Sequence, residues 1–153
     1  MLVDFLKHAQ DDRLRHIVLS TSSIPEIRNA ICELGVPFFQ PERRFHCDPT
    51  AIIQMSRWLR KQSVDIVHSC NAFANSWGHI AAFLANIPVR LTSEHGTARS
   101  VQFPMSWLDR WAHRRSERVI ANSRASAMTL YLRYGIPEEK IQVIHNAVPS
   151  LPD

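Results

Sequence analysis

Few side chains in this sequence have both the type and the placement to do chemistry. His95 is the strongest of them. It follows an apolar run, Val89-Arg90-Leu91-Thr92, and stands between Glu94 and the pair Gly96-Thr97. An imidazole there can donate a hydrogen bond to a hydroxyl or an anionic oxygen, and a neighbouring glycine lets a ligand approach the backbone. Glu94 can orient the imidazole, bind a hydroxyl, or pair with an arginine. His68 and Asn71 follow a second apolar run, Val64-Asp65-Ile66-Val67, and Asn122-Ser123 follow a third, Arg118-Val119-Ile120-Ala121. Asn71, Asn122 and Ser123 also suit helix caps, which is the plain alternative for each. On these residues alone, a loop histidine that satisfies carbonyls is the better account of His95.

Other chemistries fit less well. His46, Cys47, His68 and Cys70 lack the usual ligand spacings of a zinc site. No G-x-S-x-G elbow is present for serine catalysis, and no G-x-G-x-x-G for a dinucleotide. Trp58, Trp77, Trp107 and Trp111 read as packing residues. Trp107 and Trp111 stand one helical turn apart beside the His95 segment, where contact with a ligand is open.

The elements that position these residues alternate. Val64–Val67 is short and β-branched, so it reads as a buried strand ending at His68 and Asn71. Phe73, Trp77, Ile80 and Leu84 then share one face of a helix. Pro88 stops that helix, and Val89–Thr92 is the next strand. A strand, a helix and a strand in so short a span form a βαβ unit with parallel strands. Both polar clusters then fall at carboxyl ends of neighbouring strands, the edge where open α/β sheets bind ligands.

Before this unit, Leu2, Phe5 and Leu6 suggest a short amphipathic helix ending near Gln10-Asp11-Asp12, and His16–Leu19 is the first strand. Ser23 followed by Glu26 suggests a capping box, with the helix ending at Gly35. Val36–Phe39 is a short edge strand. Asp48 and Pro49 open a helix whose apolar face is Ile52, Met55 and Leu59. After the unit, Ala98 to Phe103 is a loop, and Pro104 opens a helix with Leu108, Trp111 and Ala112 inward. His113 on that helix is expected to lie away from the strand ends. Arg118–Ala121 is a strand, a helix capped by Asn122 or Ser123 runs to Gly135, and Ile141–Ile144 is the last strand. The strands from Val64 onward are expected as successive parallel neighbours, with His16–Leu19 on the far side of Val64–Val67 across a gap or a non-native contact. The class is α/β, with a mostly parallel Rossmann-like sheet covered by helices on both faces.

Composition bounds the rest. The 153 residues are 45% hydrophobic, which suits one ordinary globular domain. No apolar run is long enough to cross a bilayer, and no signal peptide is visible at the start. Three cysteines, Cys32, Cys47 and Cys70, without paired spacing read as reduced thiols in a cytoplasmic protein. The formal charge of +4 and pI near 9.3 suit anionic partners such as nucleotide diphosphates or an anionic membrane. The scatter of basic among acidic residues gives no nucleic-acid patch.

D-I-V-H-x-x-N, a helix of small residues, and P-V-R-L-T-S-E-H-G-T together resemble the amino-terminal domain of family-four glycosyltransferases of the GT-B fold. Arg118 to Ser123 and Tyr134 to Asn146 match that family too, in order and spacing. The resemblance implies transfer of a sugar from a nucleotide-diphosphate-sugar to a saccharide or lipid acceptor. It implies a retaining mechanism without metal or other cofactor. It places His95 in the cleft with Glu94, and makes His68, Asn71, Gly96, Thr97, Asn122 and Ser123 candidate substrate contacts. It makes residues 1–148 the acceptor-side domain and 149–153 the start of a linker to a second, donor-binding domain. The family's glycine-rich first turn, with the strand before it, has no counterpart here, since the four glycines are Gly35, Gly78, Gly96 and Gly135. An exposed strand edge, and dimerisation to cover it, follow from that. The alternative is a non-catalytic sugar- or nucleotide-binding module, or the remnant of a truncated gene. The inner face of the membrane is the implied place of work.

Overall fold

The computed structural model describes residues 2–9, 13–22, 24–45, 48–95 and 105–146. The expectations for Gln10-Asp11-Asp12, His46, Cys47, Gly96, Thr97, the 98–103 loop and residues 147–153 lie outside these.

Helix α1 (Leu2–His8) leads to strand β1 (Val18–Leu19), helix α2 (Pro25–Glu33) and strand β2 (Phe38–Phe39). Helix α3 (Pro49–Lys61), strand β3 (Ile66–Cys70), helix α4 (Ala72–Leu84) and strand β4 (Val89–Glu94) follow. Helix α5 (Met105–Arg115), strand β5 (Arg118–Ala121), helix α6 (Arg124–Tyr134) and strand β6 (Ile141–Val143) complete the order. Every strand pair is parallel, and β3, β4, β5 and β6 are successive neighbours as the spacing requires. β1 and β2 form a separate two-stranded sheet that makes no ladder with β3, which leaves the expected gap between them, while Ile17 and Leu19 pack in the same core as Val64 and Val67. Among the described residues no strand pairs with the second edge of β3, and Ile66 on that strand is 52% exposed.

Local chemistry explains the helix ends. Asp48 caps α3: its Oδ1 accepts from the Thr50 amide at 2.9 Å and its Oδ2 from the Arg44 amide at 3.0 Å. Those bonds, the Arg44 amide first, hold its carboxyl below the ordinary value despite burial. Ser123 caps α6, accepting from the Ser126 amide at 3.1 Å, and Gly135 ends that helix in the left-handed conformation at φ 62°. Ile24 holds the N-cap of α2 without a side-chain hydrogen bond, and the capping-box expectation, which rests on Ser23, lies outside the described residues.

The largest core lies between α3 and α4, built from Ala51, Met55, Leu59, Trp77, Ala81, Ala82, Ala85 and Ile87, while α4 also packs against α5. The α3 face matches its apolar period, with Met55 fully buried and Leu59 nearly so. The α4 and α1 faces match in part, since Trp77 and Leu6 are buried and Phe73 packs on the core. Leu84 is 44% exposed and Phe5 56%, whereas Asn75, Ser76 and His79 of α4 are buried. α4 is hemmed in by two helices and two strands, so small and polar residues, not large apolar ones, fill the tight side. Gly78 is part of that fit, since a Cβ there would come within 2.8 Å of Ser69 Oγ on β3.

Candidate functional site

The carboxyl ends of β3, β4 and β5 converge, because Cys70 pairs with Ser93 and Glu94 with Ala121. The strands run further than their apolar runs. β3 occupies Ile66–Cys70, not Val64–Val67, so His68 is a strand residue and Asn71 the first one past the end. β4 likewise runs on through Glu94.

His68 Nε2 lies 2.5 Å from Ser93 Oγ across the ladder, and 4.0 Å from Cys70 Sγ on its own strand. His68 is exposed as a residue, yet this edge is desolvated. Burial first, then the charge of His95, push its pKa below the ordinary 6.5. His68 is therefore neutral at pH 7, and the two histidines are electrostatic neighbours. Ser93 is further fixed by Asn75, whose Nδ2 donates to the Ser93 carbonyl at 3.1 Å.

Asn71 is not the side-chain cap that its position suggests. It sits at the α4 N-cap with φ 77° and ψ 149° and makes no side-chain cap bond. That region is nearly reserved for glycine and costs a non-glycine residue about 1–3 kcal/mol. The strain holds an exposed amide at the strand end beside His68.

Asn122 and Ser123 hold the third strand end. Asn122 Nδ2 donates to the His95 carbonyl at 3.2 Å, and its Oδ1 accepts from Ser126 Oγ at 2.9 Å. Asn122 thus ties the His95 backbone to α6, while the Ser123 oxygen is committed to its cap. His95 is half-buried and its Nδ1 has no hydrogen-bond partner among the described residues. The structure brings together His68, Asn71, Glu94, His95, Asn122 and Ser123 at one edge; Gly96 and Thr97 lie outside the described residues.

A second polar layer lies beneath. His113 is fully buried and lies at the strand ends after all, with Nδ1 2.8 Å from Thr92 Oγ1 and Nε2 3.9 Å from Glu94 Oε2. Asp109, also fully buried, places Oδ1 3.6 Å from the same Nε2. His79 is buried against Trp111, edge to face at 5.3 Å between centroids. None of His79, Asp109, Thr92 or Ser93 was singled out from sequence, and His113 was assigned to the wrong side. The available signal was the i, i+4 pair Asp109 and His113, on the side of α5 away from Arg110 and Arg114. Those arginines, with Trp107, Trp111 and Arg115, line an open depression of about 250 Å³ on the outer face of α5. Trp107 is 60% exposed there.

A parallel α/β layer with its polar groups gathered at strand carboxyl ends is the ligand-binding arrangement of open α/β sheets, and solved glycosyltransferase structures share this fold. Anabaena HepE in complex with UDP superposes at TM-score 0.75 with 20% identity, over 96% of this chain and 40% of HepE. A glycosyltransferase from Rickettsia africae superposes at 0.64 with 22% identity, over 87% of this chain and 35% of that one. The family model for glycosyltransferase family 4 matches residues 1–150, and the chain belongs to that family. An Escherichia coli relative, UDP-Gal:alpha-D-GlcNAc-diphosphoundecaprenol alpha-1,3-galactosyltransferase, is 29% identical over 107 residues, 66% of this chain and 28% of that protein. The chain spans less than half the length of these relatives.

Proposed function

We propose that this chain forms the acceptor-side domain of a retaining glycosyltransferase that moves a hexose from a nucleotide-diphosphate-sugar to a saccharide or lipid acceptor. The domain spans residues 1–148, and a second domain holds the donor nucleotide. The observation that carries this reading is the convergence of His95, His68 and Asn71 at the ends of β3 and β4 within a family-four chain. Relatives point to a uridine donor: HepE is known in complex with UDP-glucose, and the Escherichia coli protein is named for UDP-Gal and a lipid-diphosphate acceptor.

In this reading His95 donates to a sugar hydroxyl or phosphate oxygen as charge builds on the leaving group. It acts by position and electrostatics, not as a nucleophile. Glu94 orients that region, Asn71 presents its amide to a hydroxyl, and Gly96 and Thr97 admit the substrate. Neutral His68 presents a hydrogen-bonding edge without a charge. Asn122 and Ser123 contribute through the helix end they organise. The tryptophan and arginine face of α5 suits an anionic membrane surface, where a lipid acceptor would be met. No helix among the described residues is long and apolar enough to cross a membrane.

The test is transfer from UDP-glucose and UDP-galactose to a lipid-diphosphate sugar. The chain alone is expected to give no turnover, and the chain joined to a donor-binding domain of its family to give hexosyl transfer. Turnover by the isolated chain, or none by the joined protein with any nucleotide sugar, refutes the proposal.

A further inference from the structure

Glu94, Asp109 and His113 form a cluster whose ligating atoms all lie within 4.8 Å of one another. The hydrogen bonds around it fix the imidazole. Ser116 Oγ donates to the Ala112 carbonyl at 2.8 Å, so its single proton is used. Thr92 Oγ1, 3.1 Å from Ser116 Oγ, must then be the donor between those two hydroxyls. Thr92 Oγ1 can therefore only accept from His113 Nδ1 at 2.8 Å, and that nitrogen carries a proton. His113 Nε2 is left facing two carboxylates.

Two states could reconcile that arrangement. In one, Nε2 is also protonated and the imidazolium pairs with the acids. Charge-assisted N–H···O bonds close to about 2.7–2.9 Å. The separations here are 3.6 Å to Asp109 and 3.9 Å to Glu94, and His113 Nε2 and both Asp109 oxygens lack a hydrogen-bond partner among the described residues. The Tyr134 hydroxyl approaches Asp109 without reaching hydrogen-bond geometry. In the other state, a cation lies between the three ligands. Atoms about 2.0–2.1 Å from a tetrahedral ion stand about 3.3 Å apart, close to the spacings found. The Nδ1–H bond to Thr92 is the outer contact that a metal-bound imidazole usually makes.

We propose that Glu94, Asp109 and His113 bind one divalent cation of the zinc class. The ion clips α5 to the end of β4, directly beside His95. Its role is structural: two of its ligands are inaccessible to substrate, and the proposal does not rest on the sugar-transfer reading.

The experiment uses the untagged 153-residue chain, stripped with a chelator and titrated with zinc ion by calorimetry, with cobalt ion as an absorbance reporter of tetrahedral geometry. One equivalent should bind with micromolar or better affinity, raise the unfolding temperature, and give a tetrahedral cobalt band. Glu94→Gln and Asp109→Asn should each weaken binding at least tenfold, and Thr92→Ala by about 10–100-fold. Glu94 is partly exposed, so Glu94→Gln keeps the test informative if Asp109→Asn fails to fold. Absence of saturable binding by the parent overturns the proposal. So does unchanged stoichiometry and affinity in Glu94→Gln, which would put the metal elsewhere, for instance at His68 and Cys70.

Discussion

Acidification should destabilise this domain well above the pH at which carboxylates titrate, and His79 is the main reason. His79 is 1% exposed, and neither ring nitrogen has a hydrogen-bond partner among the described residues. Burial, with the charges of Arg90, His113 and Arg115 adding, pushes its pKa from 6.5 down to about 4. The unfolded chain therefore binds the proton more tightly than the folded one. Stability is whole above the unfolded value and is lost as pH falls from about 6.5 towards 4. At ~1.36 kcal/mol per pH unit the full loss is about 3 kcal/mol, of which about 2 kcal/mol has gone by pH 5. His68, also lowered, adds in the same direction. Asp4 and Asp48 are lowered from 3.8, so their losses begin only at lower pH. The assay is urea unfolding at pH 7 and pH 5 on the parent and His79→Leu. Leucine has similar bulk and no unsatisfied nitrogens, so the variant should be at least as stable at pH 7. It should lose about 2 kcal/mol less than the parent on going to pH 5. Equal losses in the two proteins would refute the reasoning.

Three further outcomes are expected. Gly135→Ala places a Cβ on a left-handed residue and 2.9 Å from the Arg114 guanidinium, so it should cost about 1–2 kcal/mol in urea unfolding; an unchanged midpoint contradicts the cap assignment. Asn71→Gly relieves the strain at φ 77° and should raise stability by about 1 kcal/mol after the entropy cost of glycine. In the joined transferase it should also slow transfer, and a faster enzyme would show that the Asn71 amide contacts nothing in the reaction. The open edge of β3, with Ile66 exposed, should make the isolated chain dimerise or precipitate with concentration in sedimentation velocity; a stable monomer at high concentration argues against it.

The βαβ spacing from β3 onward was legible because each strand is a short apolar run bounded by proline, glycine or a polar cluster. The Asp48, Ser123 and Gly135 caps were legible because each acts within a few residues of itself. The end of β3 was not, since a parallel partner at β4 carries pairing on through His68, Ser69 and Cys70 regardless of their polarity. The polar layer of His79, Thr92, Asp109 and His113 was hidden for a related reason. Helical periodicity assumes one apolar face per helix, whereas α4 is enclosed by α3, α5 and two strands, and α5 turns acid and imidazole inward to meet Thr92 and Glu94. His113, expected to be remote from the site, is for that reason unsuitable as an inert control.

The central claim is that His95 at the end of β4 positions a reacting group in sugar transfer. The measurement is kcat for hexosyl transfer by this chain joined to a donor-binding domain, comparing parent, His95→Ala and His8→Ala. His8 is exposed on α1 and serves as the control. The account predicts a loss of about a hundredfold for His95→Ala, with its unfolding temperature unchanged and His8→Ala at the parent rate. A His95→Ala protein that folds normally and turns over like the parent would contradict it.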